Sequence, residues 1–337
     1  MAEKASGVLV IAELAGARPT ALTHELLGLA RGLTAATGGK VAAAVLGANG
    51  APVVQDLIAS GADCVYLADH PALEPYSGEA WAIAAAEVVK SAAPACVLSG
   101  HTVQGMDFAP RLAFRLDTAV ATGCVGITAD GGKLLFTRPC HGGNAHEVLS
   151  FVSAPALATV RAGRHEALER DSRRSGETIP VTVRIETAAL RTRVIERIRE
   201  PASGVRLEDA RVVVAGGRGL NGAEGFRLLE ALAAELGGAV GASRPACDLG
   251  WAPPSWQIGL TGRTVTPDLY IAVGISGAGH HMAGCGGAKA IVAINTDRDA
   301  AIYKDARFGL VGDYRELLPP LIEEIRMRRA ASMAPPA

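Results

Sequence analysis

The segment RVVVAGGRGLNGAEGFRLLEALAAELGGAVGASR (211–244) decides the fold. Arg211–Ala215 is continuously apolar after its first residue, which predicts a short strand covered on both faces. It breaks into Gly216-Gly217-Arg218-Gly219, and from Glu224 to Leu236 the apolar residues recur at helical spacing. Ala239–Ala242 is strand-like again and ends in the turn Gly241-Ala242-Ser243-Arg244. Strand, glycine-rich turn, helix and strand in this order predict a parallel sheet with helices packed on its faces.

The alternation runs on in both directions. Downstream, Leu269–Val273 leads into Gly274-Ile275-Ser276-Gly277-Ala278, a short helix over Gly279–Ala283, a strand over Ala290–Ile294 and an amphipathic helix over Tyr314–Met327. Upstream, strands at Val8–Ala12, Val41–Leu46, Cys64–Leu67 and Cys96–Leu98 alternate with helices at Leu22–Ala36, about 53–59, Ala80–Ala92 and Met106–Leu116. Leu134–Thr137, Val148–Val152 and Ala156–Val160 read as added strands extending that first sheet. The fold class is therefore α/β, with two doubly wound, mostly parallel sheets. An N-terminal domain occupies 1–200, a smaller one 205–328, and 329–337 is a tail. The stretch Arg161–Glu200 is charged and poor in apolar residues, as expected of a solvated junction.

Composition narrows the function. In 337 residues, 33 Lys and Arg nearly cancel 34 Asp and Glu, so no global field calls for nucleic acid or an anionic membrane. The longest apolar runs are strand-length, too short for direct membrane insertion. The first residues carry no secretory pattern, and the six cysteines include no Cys-x-x-Cys pair. These features fit a cytoplasmic protein with buried thiols. His141 and His146 invite a metal reading, but no carboxylate or cysteine arrangement completes a ligand set. Cys285 lies one helical turn from His281 and reads as a packing residue rather than a nucleophile.

In open parallel sheets, ligands bind beyond the carboxyl ends of the strands, where loops feed helix N-termini. In the second domain four such loops carry glycines, serines and arginines: Gly216–Gly219, Gly241–Arg244, Gly274–Ala278 and Asn295-Thr296-Asp297. Backbone N–H groups there can approach an anion closely, and Arg218 and Arg244 can fork onto phosphate or lie against an aromatic ring. The first domain lacks this equipment. Val8–Ala12 runs into Glu13 with no glycine cradle, and the chain contains no Gly-x-x-x-x-Gly-Lys-Ser/Thr motif.

These residues resemble a known family. VVVAGGRGL (212–220), VGASRPACDLGW (240–251), IGLTGRTVTPDLYIAVGISGAGHHMAG (258–284), AINTD (293–297) and FGLVGD (308–313) are similar to the FAD domain of electron transfer flavoprotein alpha subunits. VLVIAE (8–13), DFAPRLAFRLD (107–117) and TRPCHGGNA (137–145) extend the likeness over about 1–325. The resemblance implies a Rossmann-like FAD-binding domain at the C-terminal end. It implies that Arg218, Ser243, Ser276 and Asn295 hold the pyrophosphate and adjacent groups, and that Asp313 contacts the adenosine end. By the same likeness, Thr261 sits by the flavin N5, Arg244 lies over the ring and His281 faces the N1/O2 edge. Ile258, Gly259, Gly277 and Ala278 then line the cofactor with backbone.

Leu260 stands where the family usually has Gln, and Gly279-His280 where it has Ile-Gln. Cys285-Gly286-Gly287 replaces a Met-Lys-Asp-like stretch. The implied partners are a beta subunit in a heterodimer, a donor flavin dehydrogenase of the acyl-CoA or N-methyl amine type, and electron transfer flavoprotein-quinone oxidoreductase as acceptor. The implied role is an electron carrier with no substrate of its own. Two other readings stay open: a relay subunit in a bifurcating NADH-oxidising complex, and a nucleotide-sensing module.

Overall fold

A computed structural model describes residues 5–48, 50–141, 145–196, 205–207 and 209–333. The chain forms two compact units, Met1–Ile198 and Arg199–Ala337.

In the first unit the elements are β1 (Val8–Ile11), the ribbon β2 (Leu14–Ala15) and β3 (Arg18–Pro19), α1 (Ala21–Thr37), β4 (Val41–Gly47), α2 (Val54–Ala59), β5 (Cys64–Asp69), α3 (Gly78–Ala92), β6 (Cys96–Gly100) and α4 (Val103–Arg115). They continue as β7 (Val120–Cys124), β8 (Gly126–Asp130), β9 (Lys133–Cys140), β10 (Ala145–Leu149), β11 (Ala156–Val160) and β12 (Glu177–Pro180). Seven strands make one parallel sheet in the order β12-β5-β4-β1-β6-β11-β7.

The sheet forms because its strands are apolar on both faces. In β1, Val8 and Val10 pack under Leu26, Leu27 and Ala30 of α1, while Leu9 and Ile11 face Ala84, Ala85 and Val88 of α3. Each of these side chains is essentially buried, and a fully buried Leu, Ile or Val contributes about 1.5–3 kcal/mol. Thr20 caps α1 by accepting from the Thr23 amide at 3.2 Å, and Gly38 ends it by donating to the Thr34 carbonyl at 2.9 Å.

Two expectations are corrected in this unit. Of the added strands, Ala156–Val160 does join the large sheet, between β6 and β7. The other two do not: β9 pairs antiparallel with both β8 and β10 in a separate three-stranded sheet. Their mixed polarity leaves one face solvated, which suits an antiparallel layer rather than a doubly covered one. The charged stretch after Arg161 is also more than a junction. Glu177–Pro180 adds the edge strand β12 to β5, while Arg174 and Arg31 both reach the Asp63 carboxylate. Part of the quoted TRPCHGGNA motif, residues 142–144, lies outside the described residues, as does most of the junction beyond 196.

The second unit contains β13 (Val212–Gly216), α5 (Phe226–Leu236), β14 (Ala239–Ser243), α6 (Arg244–Asp248), β15 (Gln257–Ile258), β16 (Leu269–Val273), α7 (Gly279–Cys285), β17 (Ile291–Asn295), β18 (Phe308–Val311) and α8 (Tyr314–Met333). All six strands are parallel, in the order β15-β14-β13-β16-β17-β18. Numbered within the unit this order is 3-2-1-4-5-6, the doubly wound dinucleotide-binding order. One face is filled by Val213, Ala215, Tyr270 and Ala272, and the other by Val214, Ile271 and Val273 under Leu229 and Leu232 of α5 and Leu318 of α8. Among the described residues no helix is long and apolar enough to cross a membrane. The six cysteines are free thiols, and Cys64, Cys96, Cys124 and Cys285 are buried.

Candidate functional site

Parallel pairing delivers every strand of the second sheet to the same edge, so six strand-end loops converge there. The order of the strands reverses between β13 and β16, which makes that pair the switch point where a ligand is expected. The two loops cross in contact. The Gly219 amide donates to the Gly274 carbonyl at 3.0 Å, and the Gly217 amide to the Val273 carbonyl at 2.9 Å. A Cβ on Gly217 would overlap the Gly274 carbonyl oxygen, and one on Gly219 would lie 2.9 Å from the Gly274 Cα. Gly274 itself has φ +63°, and its Cβ would sit 2.8 Å from the Gly219 carbonyl carbon. Backbone fills the position that side chains would otherwise take, which is what a close approach of main-chain N–H groups to an anion needs.

The expected site residues lie on the loops and helix starts that follow the strands of this sheet. Arg218 follows β13 directly and is exposed. Ser243 closes β14 and Ile258 closes β15, and the two are register partners. Ser276, Gly277 and Ala278 follow β16. Ser276 accepts the Ile302 amide through its carbonyl, and a Cβ on Gly277, which has φ +83°, would overlap the Ile302 backbone. Asn295 ends β17 and bridges to the β16 loop, donating through Nδ2 to the Ile275 carbonyl at 3.0 Å. Asp313 follows β18, where its carboxylate accepts the Arg315 amide at 2.9 Å. On the β15 side, Leu260 is exposed and donates its amide to the His280 carbonyl at 2.7 Å, while Thr261 accepts from the Gln257 amide group at 3.1 Å. Gly259 donates its amide to the Arg263 carbonyl at 3.2 Å, and Gly279 and His280 are exposed at the start of α7.

Two of these residues are arranged in ways the sequence does not disclose. The Ser243 hydroxyl is buried and has no hydrogen-bond partner among the described residues. A buried, unsatisfied hydroxyl costs about 1–3 kcal/mol, and an anion oxygen at the strand end would supply its missing partner. Arg244 is exposed and pairs along its own short helix with Asp248 at 3.3 Å. An exposed pair of this kind is worth under about 1 kcal/mol, so the guanidinium is readily released to another partner.

Sequence reasoning missed two tyrosines. Tyr303 accepts the Asn295 amide at 3.1 Å and lies within hydrogen-bonding distance of the Asn295 and Leu310 carbonyls, which ties the ends of β17 and β18 together. Tyr270, the second residue of β16, is fully buried with its hydroxyl on His281. The signal for Tyr270 was present: a phenol inside the continuous apolar run of β16 requires a polar partner.

The second unit thus has the strand order of a dinucleotide-binding sheet, and comparison with known proteins supplies its family. Residues 8–185 match the electron transfer flavoprotein domain and residues 206–286 the electron transfer flavoprotein FAD-binding domain, whose cofactor is FAD. The chain is 41% identical over 321 residues to the electron transfer flavoprotein subunit alpha of Thermoanaerobacterium thermosaccharolyticum, covering 95% of this chain and 97% of that one. It is 40% identical to the subunit of the same name from Bacillus subtilis, with 95% and 97% covered. Protein FixB of Rhizobium meliloti is 37% identical, with 95% and 93% covered. Matched through both units and along nearly its whole length, the chain belongs to the electron transfer flavoprotein alpha-subunit family.

Proposed function

We propose that this chain is the FAD-carrying subunit of a heterodimeric electron carrier, taking electrons from flavin dehydrogenases and passing them to a membrane quinone oxidoreductase. The observation that carries the reading is the buried Ser243 hydroxyl at the end of β14, next to the β13 strand whose glycine loop crosses that of β16, a donor that an anion oxygen would satisfy. FAD supplies the redox chemistry when bound, by accepting and releasing electrons. The chain's own residues bind and tune it. Ser243, Ser276, Asn295 and Arg218 would hold the pyrophosphate and its neighbours, and Asp313 would hold the adenosine end. Thr261 would serve the N5 side. Arg244, if released from Asp248, would offer the ring a cation, and a fixed cation favours the more negative, reduced form.

The first unit has a different duty. At its own switch point, between β1 and β6, stands Glu13, almost fully buried and bonded to the Thr102 hydroxyl at 2.7 Å. Burial pushes its carboxyl above the usual carboxylate range, against the Thr102 bond. A carboxyl there is a poor host for phosphate, so the first unit serves to pack on the beta subunit rather than to hold a nucleotide.

Co-expression with the beta subunit is expected to give a 1:1 complex that an acyl-CoA dehydrogenase or an N-methyl amine dehydrogenase reduces in the presence of its substrate. NADH alone is expected to leave the complex oxidised. Direct reduction by NADH would replace the carrier reading with that of a bifurcating complex.

A further inference from the structure

The short turn Ala301–Lys304, between β17 and β18, is joined to the ends of three strands. The Ile302 amide donates to the Ser276 carbonyl in the loop after β16 at 3.0 Å. Tyr303, the next residue, reaches the ends of both flanking strands. Its Oη lies 3.1 Å from the Asn295 amide nitrogen, 3.0 Å from the Asn295 carbonyl and 2.8 Å from the Leu310 carbonyl. A phenol has one hydrogen to give. Leu310 is the closer acceptor, and the Asn295 carbonyl already has the Gly312 amide at 3.0 Å, so the hydrogen is assigned to Leu310. The bonds then run from the Asn295 amide into Oη and from Oη to Leu310.

Little else holds β18 in place. All four of its residues are exposed, so burial does little to keep the strand on β17. Gly309 leaves room for the tyrosine. A Cβ there would lie 2.6 and 2.7 Å from Tyr303 Cδ1 and Cε1, and the three atoms nearest to it all belong to the Tyr303 ring. Asn295 is fastened on its other side as well, its Nδ2 donating to the Ile275 carbonyl and its Oδ1 accepting the Asp297 amide, each at 3.0 Å. The side-chain amide has two hydrogens, and among the described residues Ile275 takes one. The second is the one Asn295 can offer a ligand, and its direction follows from the main chain that Tyr303 holds.

We propose that Tyr303 is a positioning residue for the adenosine diphosphate half of the cofactor. Its hydroxyl locks the end of β17, which carries Asn295, to the end of β18, which Asp313 follows. The groups assigned to the flavin half stand elsewhere. Arg244 and Thr261 follow β14 and β15, on the other side of the β13/β16 switch point. Loss of the hydroxyl is therefore a change at one end of the ligand. This inference rests on the FAD reading above.

The test uses the co-expressed heterodimer. Tyr303→Phe keeps the ring on Gly309 and removes the hydroxyl. FAD is expected to dissociate about three- to tenfold faster, the factor that one net hydrogen bond supplies. Competition by ADP, which carries only that half of the cofactor, is expected to weaken by a similar factor. The first reduction potential is expected to stay at its wild-type value, because oxidised and reduced FAD carry the same adenosine diphosphate. Hydrogen–deuterium exchange is expected to quicken at the Asn295 and Gly312 amides and to stay unchanged in β14 and β15. Gly309→Ala, which drives the ring off β18, is expected to reproduce the loss. Phe308→Ser alters an exposed side chain of the same strand and is expected to match the wild type throughout.

Wild-type FAD release and ADP competition in Tyr303→Phe would overturn the proposal. So would a shifted potential with unchanged ADP competition, which places the effect at the flavin. An equal loss in Phe308→Ser would also overturn it, by making the general order of β18 the cause rather than the phenol. Should Tyr303→Phe fail to assemble, Gly309→Ala carries the same comparison. A wild-type heterodimer that takes up no FAD would defeat the cofactor reading instead. Exchange at the Asn295 and Gly312 amides would then still decide whether the phenol sets the two loops.

Discussion

Gly274→Ala tests the crossing of the β13 and β16 loops. Two contributions are read from the structure. At φ +63° an L side chain meets its own backbone, which costs roughly 1–2 kcal/mol. The new Cβ would also lie 2.8 Å from the Gly219 carbonyl carbon and 3.0 Å from the Gly219 Cα and the Leu220 amide nitrogen. All three are backbone atoms, so the loops must separate, and overpacking of this kind costs about 1–3 kcal/mol. The sum is about 2–5 kcal/mol, a large fraction of a domain's usual 5–15. Separation also stretches the 3.0 Å bond from the Gly219 amide to Gly274. Urea unfolding of the co-expressed complex, followed by the fluorescence of Trp251 and Trp256, is expected to show the loss in the second unit, with FAD content falling in step. The control is Gly32→Ala, at an exposed helical position in α1 with no atom within 4 Å of the new Cβ. It is expected to be neutral or to stabilise by about 0.5–1 kcal/mol. A Gly274→Ala complex with wild-type stability and full FAD would refute the argument that the loops meet through bare backbone.

Ser243→Ala separates stability from binding: without cofactor the variant is expected to be as stable as wild type or more so, by up to about 1–3 kcal/mol, while FAD dissociates faster. A destabilised apoprotein would show that the hydroxyl has an internal partner. Arg244→Ala is expected to lower the first reduction potential by ~60–120 mV, equivalent to about 1.5–3 kcal/mol per electron, with Arg244→Lys intermediate. Loss of FAD at unchanged potential would make Arg244 a phosphate ligand instead. His281 and His101 are both pushed down to about 4, His281 by burial and His101 by burial together with the Arg161 and Arg138 charges. The unfolded chain therefore takes up more protons between pH ~6.5 and 4, so stability is full above ~6.5 and is lost as the pH falls through that window. The loss approaches about 3 kcal/mol per histidine by pH 4, from a difference of about 2.5 in pKa. Denaturant midpoints measured from pH 7 to 4 check this, and a midpoint that stays level across the window would count against it.

How much of this was legible depended on burial. The segment 211–244 gave its strands and helix because a sheet covered on both faces leaves uninterrupted apolar runs. The edge strands carried no such mark. The residues of β18, Phe308–Val311, are all exposed, β12 lies in a charged stretch, and β15 is only two residues long. The five-residue α6 was invisible for the same reason of length. The glycine-, serine- and arginine-bearing loops were recognisable because anion chemistry needs those residue types at strand ends. Their mutual contacts were not. The orphaned Ser243 hydroxyl, the Arg244–Asp248 pair and the Tyr303 bonds all depend on which residues tertiary packing brings alongside, and spacing along the chain does not encode that.

The central claim is that the second unit holds FAD at the β13/β16 crossing. The most direct test is to release the cofactor by heat from the purified heterodimer, identify it chromatographically and count it against the alpha chain. The expected result is one noncovalent FAD per alpha chain, lost when Gly274 is replaced by Ala. FMN in its place, or an assembled heterodimer without flavin, would contradict the claim.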